Sequence, residues 1–280
     1  MLAAIHLARA LRELGRPTEA AEALHPVLTS WGDRLNDETR ARGHWWLAVC
    51  SRDAKRFDWA LTSAVHAAAV LDEEPVAEPI GAAEMRAIAG DVLADRKEWG
   101  AAARHLERAV SLRRRVDPRG RELSRLLHRY GQALISRRQH AQAASVLREC
   151  VGLREARALE SPADLAASLI VLGRALVRAS QRKDGAASVR RGVDLTRAIA
   201  PHRPAWVAET LRNAVVILRE AAMHEEAART ARQGLQVLGG RLPADDPFVR
   251  DLVKHIRPFV DPLPRQTRRT GPGWPRKKRR

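Results

Sequence analysis

The chain has 280 residues, of which 45% are hydrophobic and 30% are charged, and its formal net charge is +17. A chain of this length and composition buries a substantial core, which excludes a wholly disordered protein and a small domain held by disulfides. Aromatic residues make up only 4%, which favours packed helices over sheets.

The first segment, residues 1–14, is apolar and helix-forming but unlike a secretion signal. His6 and Arg9 interrupt its apolar run, and the charges follow this run instead of preceding it. No segment approaches the length of a membrane span. Cys50 and Cys150 stand singly in apolar stretches and are expected to be buried thiols. These features predict a cytoplasmic protein.

A helix-turn-helix pattern recurs six times over residues 1–240. Each unit has an apolar helical segment, a short polar turn and a second helical segment. The alanine that opens the second segment recurs at steps of 40 to 43 residues. One such hairpin leaves an apolar face uncovered, so we expect the units to stack into an array. The six alanines are Ala20, Ala60, Ala102, Ala143, Ala186 and Ala227.

Small residues on the first helices are expected to let the paired helices approach closely. Larger residues at helical spacing, such as Leu7 and Tyr130, then fill the seam between the helices. Prolines separate the units, and Ser161-Pro162-Ala163-Asp164 predicts a helix start with Ser161 as N-cap. The small residues are Ala8, Ala48, Gly90, Gly131 and Gly173.

The pattern of Leu7-Ala8, Leu11, Gly15 and Ala20 resembles the tetratricopeptide repeat in its longer form of about 42 residues. The resemblance covers residues 1–240. It implies an all-α solenoid of about six helix-turn-helix repeats, whose first helices line a groove that grips extended peptides or a partner helix. It also implies a scaffold or sensor module that binds proteins, and not an enzyme.

Aligning the units on the resemblance assigns side chains to this groove. The third unit is acidic there, and the later units are mainly basic. Ile5 and Arg9 stand where some relatives carry a lysine and an asparagine that bind a C-terminal carboxylate, so we do not expect a chaperone-tail adaptor. The predicted groove residues are Arg42, Trp45, Arg52, Asp91, Asp95, Arg125, His128, Gln132, Arg174, Arg178, Arg212 and Arg219.

Basic residues are concentrated in the second half of the chain. Residues 1–102 contain 12 Lys and Arg against 16 Asp and Glu, whereas residues 103–160 contain 14 against 6. We therefore expect an acidic or amphipathic segment of a protein partner to bind between Arg125 and Arg219. The alternative is that these arginines form a solvated face whose stems cover apolar surface.

The chain beyond residue 240 differs from the repeats. Asp246-Pro247 predicts the start of a helix, assigned to residues 241–257, that caps the array. Residues 258–280 are rich in proline and basic residues and are expected to form a disordered tail. Its basic end makes nucleic acid an alternative partner, and a merely solubilising end is the other interpretation. The end consists of Arg276, Lys277, Lys278, Arg279 and Arg280.

No catalytic motif accompanies the repeats. The sequence has no HExxH, no phosphate-binding loop and no GxSxG elbow, and its ten histidines are scattered. We therefore expect no enzymatic activity, no cofactor and no metal site. Met1 stands directly in the first helix without a polar cap, which predicts either a larger parent protein or docking of the first unit on another chain, such as a second copy.

Overall fold

The computed structural model describes residues 1–31, 34–72, 78–157, 161–238 and 241–260, with side chains as far as residue 254. The described residues form helices joined by short turns and contain no β-strand, which confirms the predicted all-α class. The helices are α1 Leu2–Glu13, α2 Pro17–Trp31, α3 Asp37–Asp53, α4 Phe57–Asp72, α5 Pro79–Asp95, α6 Trp99–Val116, α7 Arg121–Ser136, α8 His140–Glu155, α9 Pro162–Arg178, α10 Arg182–Ile199, α11 Pro204–Glu220, α12 His224–Leu238 and α13 Pro247–Val260.

The chain divides into two compact units, residues 1–195 and 196–280. In the first unit consecutive helices pack as hairpins, and the odd-numbered first helices α1, α3, α5, α7 and α9 each contact the next in the series. The second unit contains the hairpin of α11 and α12, and α13 packs against both of its helices. The predicted array of helix-turn-helix repeats is confirmed.

Two helix starts follow the sequence closely. Helix α9 begins at Pro162, but the hydroxyl of its N-cap Ser161 donates to the Asp164 carboxylate at 2.6 Å instead of accepting from a backbone N–H. At α13, Oδ1 of Asp246 accepts from the backbone N–H of Phe248 at 2.9 Å and satisfies part of the helix end. Helix α13 spans Pro247–Val260, whereas the sequence predicted a helix over residues 241–257.

The seam between paired helices depends on small residues. The six alanines that open the second helices are at most 1% exposed. A Cβ built on Gly131 would lie 2.5 Å from Cγ of Leu147, and one on Gly173 would lie 2.5 Å from Cγ2 of Val189 and 2.9 Å from the carbonyl oxygen of Gly185. A methyl group therefore does not fit at these crossings, in agreement with the predicted close approach.

Leu7 is an exception to the predicted seam. Its side chain is 52% exposed, so the expectation that it fills the space between α1 and α2 is wrong. The buried residues of α1 are Ile5 and Ala8, three positions apart. Each residue turns a helix by about 100°, so Leu7 lies away from the stripe that these two residues define.

The turn inside each hairpin has the same geometry. In the first turn Gly15 has a φ of 74°, and the N–H of Arg16 donates to the carbonyl of Leu11 at 2.9 Å, as in a Schellman motif. The same bonds recur in the other five turns, where the left-handed residue is not glycine. This conformation costs roughly 1 kcal/mol at such a residue. The five residues are Lys55, Lys97, Arg138, Ser180 and Ala222.

Arginines also join neighbouring repeats of the first unit. Arg56 contacts Glu22 at 2.7 Å and Arg114 contacts Glu149 at 2.8 Å. Each such exposed pair contributes at most about 1 kcal/mol, but the pairs recur from one repeat to the next. Some of the many arginines of the chain therefore form contacts between repeats. Further cross-repeat pairs are Arg12–Asp53, Arg86–Asp72, Arg96–Asp58, Arg108–Asp72, Arg129–Asp91 and Arg191–Glu155.

Candidate functional site

A cavity of about 690 Å³ lies on the first-helix side of the first unit, and we call it the arginine cavity. Its floor is formed by small and apolar residues of α5, among them Ala83, Ala87 and Ile88. Because these side chains are short, the surface between the neighbouring helices is open. The charged residues that line it are Arg52 of α3, Glu84 of α5, Arg113 of α6, and Glu122, Arg125 and Arg129 of α7.

The helical period explains how α7 lines this cavity. Arg125, Leu126 and Arg129 stand three, four and seven residues after Glu122, which places all four on one face of the helix. Arg113 differs in origin, because it comes from the last turn of a second helix. The cavity therefore collects positive charge from three helices.

A second cavity of about 420 Å³ adjoins the first and shares Arg52 and Glu84 with it. We call the two cavities together the groove. Trp45 of α3 is half-buried. Its ring packs against Gly81 of α5 so closely that a Cβ on this glycine would lie only 2.6 Å from the Cζ3 atom of the ring. The residues that line the second cavity are Arg12, Arg42, Trp45, Trp46, Val49, Arg52 and Glu84.

The arginines of the arginine cavity differ in their partners. Arg129 forms an ion pair with Asp91 at 2.8 Å, and Arg125 donates to Glu122 at 2.7 Å on its own helix. The side chain of Arg113 makes no hydrogen bond or ion pair with any described residue, although its charge acts on Glu84. It is therefore the guanidinium group most available to an added anion.

Two carboxyl groups of α5 are perturbed by their surroundings. Burial raises the pKa of Asp91 to about 6, although the guanidinium groups of Arg129 and Arg52 act in the opposite direction. Burial also raises the pKa of Glu84, against the influence of Arg52 and Arg113. Both carboxylates therefore accept protons more readily than ordinary surface carboxylates do.

The structure brings together several of the residues predicted for the groove. Four of them line its cavities: Arg42, Trp45, Arg52 and Arg125. Asp91 does not line a cavity itself, but it forms an ion pair with Arg129, which does. Asp95 and Gln132 are exposed on the helices that carry these residues, but line neither cavity.

His128 occupies a different place from the other residues of α7. Its Nδ1 atom lies 3.1 Å from the hydroxyl of Ser168 on α9, and Arg154 donates to the same hydroxyl at 2.6 Å. Burial lowers the pKa of His128 to about 4. The Sγ atom of the buried Cys150 lies 3.3 Å from the same hydroxyl. His128 therefore joins α7 to the next repeat and does not line the groove.

The remaining predicted residues lie apart from these cavities. Arg174 and Arg178 are on α9 in the first unit, the former half-buried and the latter exposed. Arg212 and Arg219 belong to the second unit, where the guanidinium of Arg212 lies 5.5 Å from the ring centroid of Phe248. Binding of an acidic segment between Arg125 and Arg219 stays a prediction. The basic end, Arg276 to Arg280, lies outside the described residues.

Sequence alignment to the repeat missed four charged residues of the groove. Arg12, Arg113, Glu122 and Arg129 line its cavities without having been selected as binding residues. Arg129 could have been found from its spacing of four residues from Arg125. Arg113 carries no comparable sequence signal, because its alignment position is on a second helix.

Apolar side chains at the first helix are exposed, and the predicted docking of the first unit on another chain would cover them. Leu2, Leu7 and Leu14 are 52% to 72% exposed, and the side chain of Met1 does not cap α1.

Within the described residues, no group of three or more His, Cys, Asp or Glu side chains is placed to hold a metal ion. None of the helices in that part of the chain is long and apolar enough to cross a membrane.

Comparison of structures identifies the repeat fold. No family model matches the sequence, and no curated protein matches it. A STAND signal-transduction ATPase from Pyrococcus horikoshii with a tetratricopeptide repeat sensor matches with a TM-score of 0.68 and 12% identity, over 92% of this chain and 38% of the ATPase. BtubC (BKLC) from P. vanneervenii has a TM-score of 0.61 at 13% identity, over 83% and 93%. The apo form of RapI has 0.58 at 10%, over 92% and 98%.

Proposed function

Because the chain has the tetratricopeptide-repeat fold, we propose that it is a non-enzymatic scaffold or sensor module that binds an extended, acidic segment of a protein partner in the groove. The observation that carries this proposal is the arrangement of Arg52, Arg113, Arg125 and Arg129 around one open cavity. Guanidinium groups recognise carboxylates through paired, charge-assisted hydrogen bonds, and several of them around one opening favour an anionic ligand.

The charge of the arginine cavity supports an acidic ligand. Four guanidinium groups line it, against the two carboxylates of Glu84 and Glu122. Arg52 and Arg129 are also paired, with Asp53 at 2.9 Å and with Asp91 at 2.8 Å, whereas the side chain of Arg113 has no ion-pair partner among the described residues. An anion placed there gains attraction without first breaking an ion pair, which is the arrangement expected of a binding site and not of a fully paired surface.

The size of the groove fits an extended segment. Neighbouring packed helices lie about 8–10 Å apart, so the path from α3 across α5 to α7 measures roughly 16–20 Å. An extended chain advances about 3.3 Å per residue, and about six residues cover that distance. Trp45 at the α3 end offers an aromatic surface for an apolar side chain of the same segment.

A cytoplasmic location agrees with this proposal. Cys50 and Cys150 are both free and buried, and a reducing compartment preserves such thiols. Nucleic acid remains the alternative partner suggested by the basic end of the sequence, but no observation on the described residues favours it over a protein segment.

The test is selection of ligands from a library of random 12-residue peptides displayed on phage, with the full chain immobilised. We expect enrichment of acidic peptides and a Kd that increases about 10-fold or more in Arg113→Glu, because a hydrogen bond to a charged group contributes about 1.5–3 kcal/mol. Arg104→Glu is the matched control, since Arg104 is an exposed arginine of the same helix that lines neither cavity.

Two results would count against the proposal. One is the absence of any enriched peptide class, and the other is equal binding of the selected peptides by wild type and Arg113→Glu. A parallel binding measurement with single-stranded DNA compares the full chain with a chain that ends at residue 258. Strong, salt-sensitive binding that is lost with the tail would support the nucleic-acid alternative instead.

A further inference from the structure

Two carboxylates lie among the guanidinium groups that an acidic ligand would use, and one of them is already paired. Asp91 holds Arg129 at 2.8 Å, and only 25% of its side chain is exposed. Glu84 lines both cavities, and the charges of Arg52 and Arg113 act on it. Both residues belong to α5, which forms the floor of the arginine cavity. In the unoccupied groove these carboxylates neutralise part of the positive charge.

A ligand carboxylate and these two side chains compete for the same cations. If Asp91 and Glu84 remain charged, an acidic segment must approach them against like-charge repulsion in a partly buried place. If they accept protons, the repulsion disappears and Arg129 becomes available to the ligand. The proton is therefore the simplest agent that makes room for the ligand's charge.

Charged groups of α3, α6 and α7, and of α5 itself, influence the protonation of Asp91 and Glu84. The cationic groups favour the ionised carboxylates, and the acidic groups favour their protonation. No histidine lines either cavity, whereas burial raises the pKa of both Asp91 and Glu84. The other charged groups are Arg52 from α3, Arg113 from α6, Glu122, Arg125 and Arg129 from α7, and Glu78 and Asp95 on the chain segment of α5 itself.

We propose that an acidic segment binds this groove by displacing the carboxylate of Asp91 from Arg129 and by approaching the carboxylate of Glu84, so that binding takes up protons and strengthens as the pH falls. This inference rests on the proposed function and adds its regulation. It makes Asp91 and Glu84 the residues that set the affinity of the groove according to pH, while the arginines supply the attraction.

The size of the effect follows from proton linkage. Burial raises the pKa of Asp91 to about 6 in the free protein, and a ligand carboxylate beside it raises that pKa further. Each unit by which the ligand raises this pKa strengthens binding at low pH by up to tenfold, so we expect the affinity to rise about tenfold between pH 7.5 and pH 5.5. Binding then takes up a fraction of a proton at Asp91, with the largest uptake at pH values between the pKa of the free protein and that of the complex.

The experiment uses a fluorescein-labelled peptide of eight residues that alternates aspartate with glycine. Its Kd for the full chain is measured by fluorescence anisotropy from pH 5.5 to pH 7.5, a range in which the peptide's carboxylates stay ionised. Calorimetry in two buffers with different ionisation enthalpies counts the protons taken up. We expect about tenfold tighter binding by the wild type at pH 5.5 than at pH 7.5.

Neutral variants separate the proposal from a general charge effect. Asp91→Asn is expected to bind tightly at pH 7.5 and to lose most of the pH dependence of its Kd, because only Glu84 then remains to gain a proton. Asp95→Asn makes the same change in net charge on the same helix, but Asp95 is exposed and lines neither cavity. This control is expected to keep most of the pH dependence. Glu84→Gln provides a second variant if Asp91→Asn does not fold.

The outcomes distinguish this inference from the proposed function. Peptide binding that is weakened by Arg113→Glu but shows no pH dependence and no proton uptake overturns the inference and leaves the acidic-segment proposal standing. Unchanged pH dependence in both Asp91→Asn and Glu84→Gln also overturns it. No binding of any acidic peptide at any pH, with or without Arg113→Glu, removes the proposed function itself.

Discussion

Replacing Gly173 by alanine tests the close crossing of α9 and α10 directly. The added Cβ would lie 2.5 Å from Cγ2 of Val189 and 2.9 Å from the carbonyl oxygen of Gly185, both shorter than real Cβ contacts. Val189 is fully buried, and the second contact is with backbone, which cannot rotate away. The two helices must therefore separate locally to accept one methyl group.

The expected cost is the difference between two effects. Overpacking of a dense interior costs typically about 1–3 kcal/mol. Alanine inside a helix gains about 0.5–1 kcal/mol over glycine, because the unfolded chain loses less conformational freedom. We expect Gly173→Ala to lower the free energy of unfolding of the first unit by about 1–2 kcal/mol.

Urea unfolding followed by circular dichroism at 222 nm measures this change, and hydrogen exchange assigns it to α9 and α10. Gly152→Ala is the matched control, since Gly152 lies in α8 with no atom within 4 Å of an added Cβ. The control is expected to be more stable than wild type by about 0.5–1 kcal/mol. A Gly173→Ala protein as stable as the control would refute the close-packing argument.

Three further predictions concern stability. Ala222→Gly relieves a φ of 63° and is expected to raise stability by about 1 kcal/mol in thermal unfolding. Burial lowers the pKa of His128 in the folded protein to about 4. Its contribution to the free energy of unfolding is therefore present above its unfolded pKa near 6.5 and is lost as the pH falls towards 4. His128→Gln is expected to remove about 2 kcal/mol of the change in the free energy of unfolding between pH 7 and pH 5, measured by urea unfolding. Arg86→Ala leaves the mostly buried Asp72 with only the more exposed Arg108, and is expected to cost about 1–2 kcal/mol in urea unfolding, against less than 1 kcal/mol for Arg108→Ala.

The repeat period made the fold predictable. The alanines that open the second helices and the glycines at the crossings are constrained by packing, so each repeat carries a similar pattern at a similar place. The left-handed turn residue was recognisable only at Gly15. In the other turns residues such as Lys55 and Ala222 adopt the same conformation, because the two backbone bonds of the turn are formed whatever the side chain is.

The site was predictable only in part, because alignment gives the helix face but not its surroundings. Arg52 and Arg125 were found in this way, since they repeat the register of the first helices. His128 has a similar register but is covered by the next repeat, where it meets Ser168. Arg113 reaches the arginine cavity from the end of a second helix, which a rule based on first helices cannot anticipate.

The arrangement of arginines, and not their number, makes the groove a candidate anion site. Residues 103–160 are strongly basic, but several of their arginines are used within the protein. Arg114 holds Glu149 of the next repeat, Arg148 donates to Gln181, and Arg154 donates to Ser168. Such contacts satisfy the guanidinium groups and leave them little to offer a ligand. The side chain of Arg113 has no such partner among the described residues, and it lies where charged residues of α3, α5 and α7 line the same cavity. The arginine-rich composition therefore stabilises the contacts between repeats and also leaves one unpaired guanidinium group in the groove.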